Sequence, residues 1–181
     1  MPEPYTHSFA FHKEIGTTDN NATLRSLLDV PKTILVMLDL ERAFKLADPT
    51  VITAILAEKG VKGKLLGWIQ DYLTNRSASV SFQGHTSRSL TFEKSIPQGG
   101  ILSPFLFNLL VEQLVKLHFQ ADTKLFAYAD DLRLVSTGQH RYAHTEQALD
   151  IITKECNRIG LKINPTKSSA IYTSGELPGP L

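Results

Sequence analysis

The hydrophobic pattern of the chain combines short strand-like runs with longer helical stretches. Residues 33–40 (Thr-Ile-Leu-Val-Met-Leu-Asp-Leu) form a nearly continuous apolar run whose only charged residue is Asp39, close to its carboxyl end. A run of this length and content is typical of a strand that is buried on both faces. Residues 124–127 and 132–136 are two further short runs, separated by a turn that carries two adjacent aspartates. This arrangement predicts a β-hairpin with both carboxylates at its tip.

Apolar residues at helical spacing predict several amphipathic helices. The clearest start is Asp48-Pro49, an N-cap residue followed by proline at the first helical position. In the helix over residues 62–73, we expect Leu65 to point inward and Trp68 and Tyr72 to form an aromatic pair in the core. The predicted helices together cover residues 21–29, 50–59, 62–73, 103–120 and 145–159.

The remaining strand-like segments complete a mixed fold. Residues 77–83 and 89–94 predict a second hairpin, and residues 161–164 and 167–173 predict two short strands joined by a turn at Pro165-Thr166. The helices and strands follow no regular βαβ rhythm, and the hairpins are antiparallel by nature. The pattern therefore predicts an α+β fold in which helices pack on one face of a largely antiparallel sheet.

The composition is that of an ordinary globular domain, with 181 residues, 42% hydrophobic residues and 20% charged residues. The formal net charge of +1 gives no global basic signature, so any nucleic-acid contact must come from a local patch or from parts of a longer protein. A single cysteine excludes an intramolecular disulfide and favours a reducing compartment, and no apolar run is long enough to span a membrane. We therefore expect an intracellular protein, in the cytoplasm or the nucleus, without a membrane partner.

The adjacent aspartates, Asp130 and Asp131, are the first candidate site. A turn breaks the alternation of side chains along a strand, so both carboxylates can reach one small volume, where their repulsion requires a counter-charge. Mg²⁺ suits this place because it binds one or two carboxylates together with substrate phosphates. The simpler interpretation is that the two aspartates only mark a turn. If the strand that ends at Asp39 pairs beside the hairpin, three carboxylates converge, a set that can hold two Mg²⁺ ions.

Four motifs along the chain resemble a known family. In order, they are Leu-Asp-Leu-Glu-Arg-Ala-Phe at residues 38–44, Ile-Pro-Gln-Gly-Gly-Ile-Leu-Ser-Pro at 96–104, Tyr-Ala-Asp-Asp at 128–131 and Gly-Leu-Lys-Ile-Asn-Pro-Thr-Lys at 160–167. They look like the successive palm motifs of reverse transcriptases, closest to those of non-LTR (LINE-type) retrotransposons. The resemblance covers roughly residues 8–173 and implies the palm fold of an RNA-directed DNA polymerase.

The resemblance implies a metal-dependent catalytic site. Asp39, Asp130 and Asp131 match the metal-binding catalytic triad, and the backbone carbonyl of Leu40 would also face a metal. The implied cofactor is Mg²⁺, with Mn²⁺ as a substitute. The implied partners are an RNA template, a DNA primer and a dNTP, whose nucleotidyl group is transferred to the primer 3′-hydroxyl.

The resemblance also implies a nucleotide-binding set. Phe44 matches the bulky residue that lies against the sugar of the incoming nucleotide and excludes a 2′-hydroxyl. Gln98 and Gly99 match the loop that packs against the incoming nucleotide and the template base, and Lys167 matches a lysine near the triphosphate. The alternatives are that Phe44 is an ordinary core residue and that Lys167 is a solvated lysine.

The chain departs from the family pattern in places. Lys45 stands where an aspartate is common, and Gly100 stands where the family usually has serine or another small residue. Fingers and thumb motifs are missing, so we expect residues 1–20 to be a fingers remnant, residues 21–173 the palm and residues 174–181 a mobile tail. We also expect self-association through surfaces left uncovered, including Phe9, Phe11, Ile171, Tyr172 and an open strand edge at residues 167–173.

Two alternatives to the polymerase remain open at this point. One is a palm that folds and associates without polymerising. The other is an RNA-copying RNA polymerase, against which Phe44 argues because such an enzyme needs room for the ribose hydroxyl. Among other candidate sites, we interpret His140 and His144 as a solvated pair without a third ligand, and Cys156 as an unreactive residue on an apolar helix face.

Overall fold

The computed structural model of the chain describes residues 22, 25, 26 and 29–173. Ala22, Arg25 and Ser26 are helical, in line with the helix expected over residues 21–29, most of which lies outside the described residues. The expected fingers remnant, the mobile tail and the exposure of Phe9 and Phe11 also fall outside them.

The described residues form helices and strands that alternate irregularly along the chain. The strands are β1 Thr33–Leu40, β2 Arg76–Ala78, β3 Ser81–Phe82, β4 His85–Thr86, β5 Leu90–Phe92, β6 Thr123–Tyr128, β7 Asp131–Thr137 and β8 Ile163–Tyr172. The helices are α1 Ala43–Leu46, α2 Pro49–Glu58, α3 Gly63–Leu73, α4 Ser103–Val115 and α5 Arg141–Arg158.

Four strands form the main sheet, in the order β6-β7-β1-β8, and each neighbouring pair is antiparallel. On one face of β1, Ile34 and Leu38 belong to the main core, which the helices complete. On the other face, Leu35 packs with Phe126 and Val135 in a smaller cluster. The α+β prediction and the prediction of a strand buried on both faces are therefore confirmed.

Helix boundaries follow local signals where those exist. The side chain of Asp48 accepts a hydrogen bond from the Thr50 amide at 2.9 Å, and Pro49 occupies the first turn, so α2 begins where expected. The prediction that the helix from residue 103 reaches residue 120 was wrong, because α4 ends at Val115 and residues 116–122 turn the chain back into β6. Helix α5 begins at Arg141, before the expected residue 145.

The expected inward face of α3 is wrong at two positions. Ile69 and Leu73 are buried, but Leu65 is 58% exposed and Trp68 is 54% exposed. Only a narrow stripe of α3 packs against α2, and these two residues lie outside it. Trp68 and Tyr72 do form the expected aromatic pair, with ring centroids 5.7 Å apart. Tyr72 is partly buried and packs against the main core, whereas Trp68 lies at the protein surface.

The predicted second hairpin is present as two short ladders, β2 with β5 and β3 with β4. Arg76 stabilises the end of this hairpin that joins the rest of the protein. Its guanidinium donates hydrogen bonds to the carbonyl and the hydroxyl of Ser95 and lies over the Phe92 ring. The rest of the hairpin is exposed. Among the described helices, none has the length and apolar content that crossing a membrane requires.

Candidate active site

The pairing of β1 with β7 brings two of the candidate carboxylates together. The antiparallel register runs without interruption from Thr33 opposite Thr137 to Asp39 opposite Asp131. Residues directly opposite each other in such a ladder point to the same face, with Cβ atoms roughly 4.5–5.5 Å apart. The strand that ends at Asp39 therefore pairs beside the hairpin, which is the condition that the sequence set for bringing the carboxylates together.

The third carboxylate lies at the tip of the hairpin. Tyr128 pairs with Asp131, so the predicted hairpin is confirmed and Ala129 and Asp130 form its two-residue turn. The prediction that both aspartates lie in the turn was wrong, because Asp131 is already the first residue of β7. Ala129 adopts a left-handed conformation with φ of 53°, which is uncommon for a residue with a side chain. Asp130 is exposed, whereas Asp39 is half-buried between its two neighbouring strands.

A cleft of about 490 Å³ unites most of the predicted site. Its lining includes six of the residues named from the resemblance: Asp39, Leu40, Phe44, Gln98, Asp130 and Lys167. A second cleft of about 200 Å³ is lined by Asp131 and shares Asp39 and Lys167 with the first. Gly99 lines neither of these clefts.

Phe44 belongs both to the cleft and to the core. Its ring stacks on that of Phe107 with centroids 4.5 Å apart and an interplanar angle of 22°. Phe107 is fully buried, so its ring fixes one side of the Phe44 ring against the core, and Phe44 also lines the cleft. Phe44 thus packs against the core, as one interpretation of the sequence holds, and its place in the cleft lining leaves the other, a residue that lies against a nucleotide sugar, as a prediction.

The loop that carries Gln98 is anchored to the segment following β1. The amide of Ile96 donates to the carbonyl of Phe44 at 2.8 Å, and the amide of Ser95 donates to that of Ala47 at 3.1 Å. Gly99, in the same loop, has φ of 85°, a conformation that favours glycine. These bonds keep Gln98 beside the strand that carries Asp39.

The structure explains why glycine stands at position 100. A Cβ atom added to Gly100 would lie 2.1 Å from the hydroxyl oxygen of Tyr72 and 2.7 Å from that of Ser103. The Ser103 hydroxyl in turn donates to the carbonyl of Pro97 and closes the loop. A serine at position 100 therefore fits only if the Tyr72 side chain moves.

On the other side of β1, the pairing with β8 is irregular. Met37 pairs with Ser169 but Asp39 pairs with Asn164, so β8 has three more residues than β1 between these two pairs. The Asn164 side chain accepts a hydrogen bond from the Thr166 amide at 3.2 Å, and this local contact stabilises the turn of the chain within the bulge. The turn predicted at Pro165-Thr166 is thus present as a bulge within one continuous strand.

The bulge places polar groups that the sequence did not single out. Asn164 lines the main cleft opposite Asp39. The Ser168 hydroxyl accepts a hydrogen bond from the Asp39 amide at 3.2 Å and donates one to the Asn164 carbonyl at 2.8 Å. Spacing could not reveal these contacts, because they depend on the shifted register. The motif that ends at Lys167 was the one available signal.

Three cations border the acidic residues of the main cleft. Arg42, Lys45 and Lys167 line it, and none of them forms an ion pair within the described part of the chain. Glu41 is instead paired with Lys162 at 3.0 Å, and the hydrogen bond and charge of that lysine lower the pKa of the Glu41 carboxyl. The unpaired cations suit a polyphosphate ligand, since charge-assisted bonds to phosphate oxygens are strong.

The donor set fits a metal that is held jointly with a phosphate ligand. No group of three histidine, cysteine or acidic side chains in the described residues is arranged to hold a metal by itself. Two carboxylates, Asp39 and Asp130, line the main cleft beside its cations. Mg²⁺ typically takes one or two carboxylates and completes its shell with phosphates and water.

The other candidates contribute nothing to this site. The rings of His140 and His144 lie 5.9 Å apart, outside the cleft. Cys156 is buried in the main core, and burial raises the pKa of its thiol to about 12, so the reactive thiolate does not form near neutral pH.

Solved structures with the same fold include fungal telomerases. The chain superposes on telomerase from Candida tropicalis, in a complex with a fragment of telomeric RNA, with a TM-score of 0.70 and 14% sequence identity, covering 92% of this chain and 30% of that one. Telomerase from Candida albicans gives a TM-score of 0.69 at 14% identity, covering 92% and 32%. At such identities the likeness concerns the fold alone.

Similar sequences occur in retrotransposon Pol polyproteins. The chain is 25% identical over 151 residues to the polyprotein of the type-2 retrotransposable element R2DM of Drosophila melanogaster, covering 77% of this chain and 14% of that protein. It is 24% identical over 146 residues to that of the R2 element of Popillia japonica, covering 75% and 24%. The chain therefore spans a quarter or less of the length of these curated relatives. The model of the family described as reverse transcriptase (RNA-dependent DNA polymerase) matches residues 6–179, nearly the whole chain, which therefore belongs to that family.

Proposed function

We propose that this chain is the palm of a retroelement RNA-directed DNA polymerase, which adds deoxynucleotides to a primer on an RNA template. One observation carries the proposal. Two carboxylates on separate elements, Asp39 and Asp130, share a cleft with Phe44 and with three cations that form no ion pair among the described residues. This is the arrangement that a nucleoside triphosphate and its metal require, with acidic groups for the metal and basic groups for the phosphates.

The reaction is a nucleotidyl transfer. The primer 3′-oxygen attacks the α-phosphorus of the dNTP, a new P–O bond forms, and the bond to pyrophosphate breaks. A bound Mg²⁺, or Mn²⁺ in its place, would lower the pKa of the attacking hydroxyl and stabilise charge on the phosphates. Asp39 and Asp130 would hold the metal at the main cleft, with the Leu40 carbonyl beside them, and Asp131 would act from the adjoining cleft.

The remaining cleft residues bind and orient the nucleotide. Arg42, Lys45 and Lys167 would neutralise the triphosphate, whose charge is the main source of affinity for such a ligand. The Phe44 ring, fixed by its stack on Phe107, would lie against the sugar and leave no room for a 2′-hydroxyl. Gln98 would contact the base, and Gly99 would give its loop the required turn.

The test is primer extension on an RNA template, with Mg²⁺, with Mn²⁺ and with a chelator. We expect addition of a few nucleotides that depends on the metal and is lost in Asp130→Asn. Asp130 is exposed and forms no hydrogen bond or ion pair in the described residues, so this variant should keep its melting temperature. Asp150→Asn, an exposed aspartate on α5, is the matched control and should extend like the unaltered chain. Undiminished extension by Asp130→Asn would refute the assignment of Asp130 as a metal-binding residue.

A second candidate, a palm that associates without polymerising, has its own support. Strand β8 lies at an edge of the four-stranded sheet, and Ile171 and Tyr172 on it are 48% and 44% exposed. Exposed edges with apolar residues favour pairing between copies. Light scattering over a concentration series tests this. A folded chain that self-associates and never extends a primer would favour this candidate over the polymerase.

A further inference from the structure

We propose that Ser168 is a positioning residue that fixes Asp39 relative to Lys167 by clasping β1 to the bulge of β8. This inference deepens the proposed function, on which it rests for the role of Asp39 toward metal. The Ser168 hydroxyl accepts from the Asp39 amide at 3.2 Å and donates to the Asn164 carbonyl at 2.8 Å. One hydroxyl thus forms a clasp, that is, a pair of hydrogen bonds that joins the backbone of β1 to the backbone of the β8 bulge.

The bulge creates the need for this clasp. In a regular antiparallel ladder, an amide of β1 that faces β8 would donate to a carbonyl of β8. Between the pairs Met37–Ser169 and Asp39–Asn164, the extra residues of β8 interrupt that ladder. Backbone amides in partly buried places are seldom left unpaired, because an unmade hydrogen bond is costly. The Ser168 hydroxyl takes the place of the missing carbonyl.

The clasp also sets where Lys167 lies. Ser168 follows Lys167 directly, and Lys167 lines both clefts together with Asp39. Fixing Ser168 to the Asp39 amide therefore sets the spacing of the two backbone positions from which the carboxylate and the lysine reach the clefts. In the proposed reaction these are the metal end and the phosphate end of one ligand, so an error in their spacing weakens binding of the two together.

The neighbouring serine provides a contrast. Ser169 is exposed, pairs with Met37 in the regular part of the ladder, and has no side-chain hydrogen bond in the described residues. Ser168 is half-buried and uses its hydroxyl as donor and acceptor at once. Two adjacent serines on one strand thus differ in the feature that the proposal concerns.

The experiment compares Ser168→Thr with Ser168→Val. Both replacements are β-branched, suit a strand and have nearly the same volume, so they differ chiefly in the hydroxyl. Ser169→Val controls for the addition of an apolar residue to this edge strand. The first readout is hydrogen exchange of the Asp39 amide by NMR in the metal-free chain. The second is the Mn²⁺ concentration that half-broadens the Asp39 and Asp130 signals, with and without dTTP.

We expect exchange of the Asp39 amide to be about tenfold faster in Ser168→Val, and near the original rate in Ser168→Thr and Ser169→Val. We expect the half-broadening Mn²⁺ concentration in the presence of dTTP to rise about tenfold in Ser168→Val alone. Exchange that is unchanged in Ser168→Val, or equally raised in Ser169→Val, would overturn the clasp. Faster exchange with an unchanged Mn²⁺ response would overturn the positioning role.

The two readouts separate this inference from the proposed function. Hydrogen exchange is measured without metal or substrate, so it reports on the clasp even if the chain never extends a primer. If the unaltered chain shows no broadening at any Mn²⁺ concentration, the metal role of Asp39 fails, and with it both the proposed function and the positioning role.

Discussion

Strand β1 meets β7 on one side and β8 on the other, and the two sides serve the candidate site in different ways. Toward β7 the ladder is regular and ends with Asp131 opposite Asp39. Toward β8 the ladder breaks just before Asp39, and the bulge supplies Asn164, Lys167 and the Ser168 hydroxyl. The regular side thus adds negative charge to Asp39, while the irregular side adds a cation and hydrogen-bonding groups.

The two sides also differ in burial. On β7, Leu132, Leu134 and Val135 are at most 2% exposed. Most of β8 is exposed, including Ile171 at 48%. Regular pairing inside the sheet therefore goes with core packing, whereas the bulged edge strand contributes to the main core only through the partly buried Ile163, among the described residues. Asp39 and Asp131 thus lie at the end of two well-packed strands, whereas Lys167, the proposed phosphate ligand, lies on the exposed one.

The largest expected effect concerns stability on the two sides. Leu134→Ala should lower the free energy of unfolding by about 2–5 kcal/mol, because it opens a cavity at a fully buried position. Ile171→Ala on β8 should lower it by about 0.5 kcal/mol, since that side chain is half exposed. Urea denaturation measures both. Equal losses would show that β8 is packed as firmly as β7 and would remove the contrast.

The next effect concerns Phe44, which lies on the short helix α1 directly after β1. Phe44→Val should raise the ratio of kcat/KM for ribonucleotides over deoxynucleotides about tenfold or more, because it removes the proposed clash with the 2′-hydroxyl. Single-nucleotide addition measures this ratio. The variant also loses the stack on Phe107, so its stability should fall, but a stability loss alone does not change the ratio. An unchanged ratio would leave Phe44 as a core residue only.

A smaller effect should distinguish Lys167 from a lysine remote from the cleft. Lys167→Ala should lower kcat/KM for the dNTP about tenfold, as expected for one charged contact to phosphate. Lys154→Ala is the matched control, because Lys154 is an exposed lysine on α5 and lines neither cleft. Steady-state kinetics at several dNTP concentrations would show the difference. Similar losses in both variants would indicate a general charge effect and no specific contact by Lys167.

The smallest effect concerns the hairpin turn on the regular side. Ala129 has φ of 53°, and the left-handed region costs a non-glycine residue roughly 1–2 kcal/mol. Ala129→Gly relieves that strain but adds freedom to the unfolded chain, so we expect a net stabilisation of about 1 kcal/mol or less. Thermal unfolding measures it. A clear loss of stability would mean that the Ala129 methyl group makes contacts that outweigh the strain.

Most of the regular side of the site could be predicted from the sequence, whereas on the irregular side only Lys167 and the turn at Pro165-Thr166 could. Local patterns were enough for β1, for the hairpin and for the N-cap at Asp48, because each depends on residues close in the chain. The exposure of Leu65 and Trp68 was missed, because helical spacing alone does not decide which side of a helix meets its neighbours. Asn164 and Ser168 were missed because their contacts depend on a register shift between strands far apart in the chain.

The contact between Tyr72 and Gly100 has a consequence for how such chains can diverge. A side chain at position 100 collides with the Tyr72 hydroxyl, which reaches to within 2.1 Å of where its Cβ would lie. Glycine-to-serine at position 100 therefore requires the Tyr72 hydroxyl to move away, together with the Ser103 hydroxyl 2.7 Å from the same point. A smaller residue at position 72 removes the first of these clashes. In an alignment of related chains, a residue other than glycine at 100 should therefore more often accompany a residue other than tyrosine at 72, although the two positions lie on α3 and on the loop before α4.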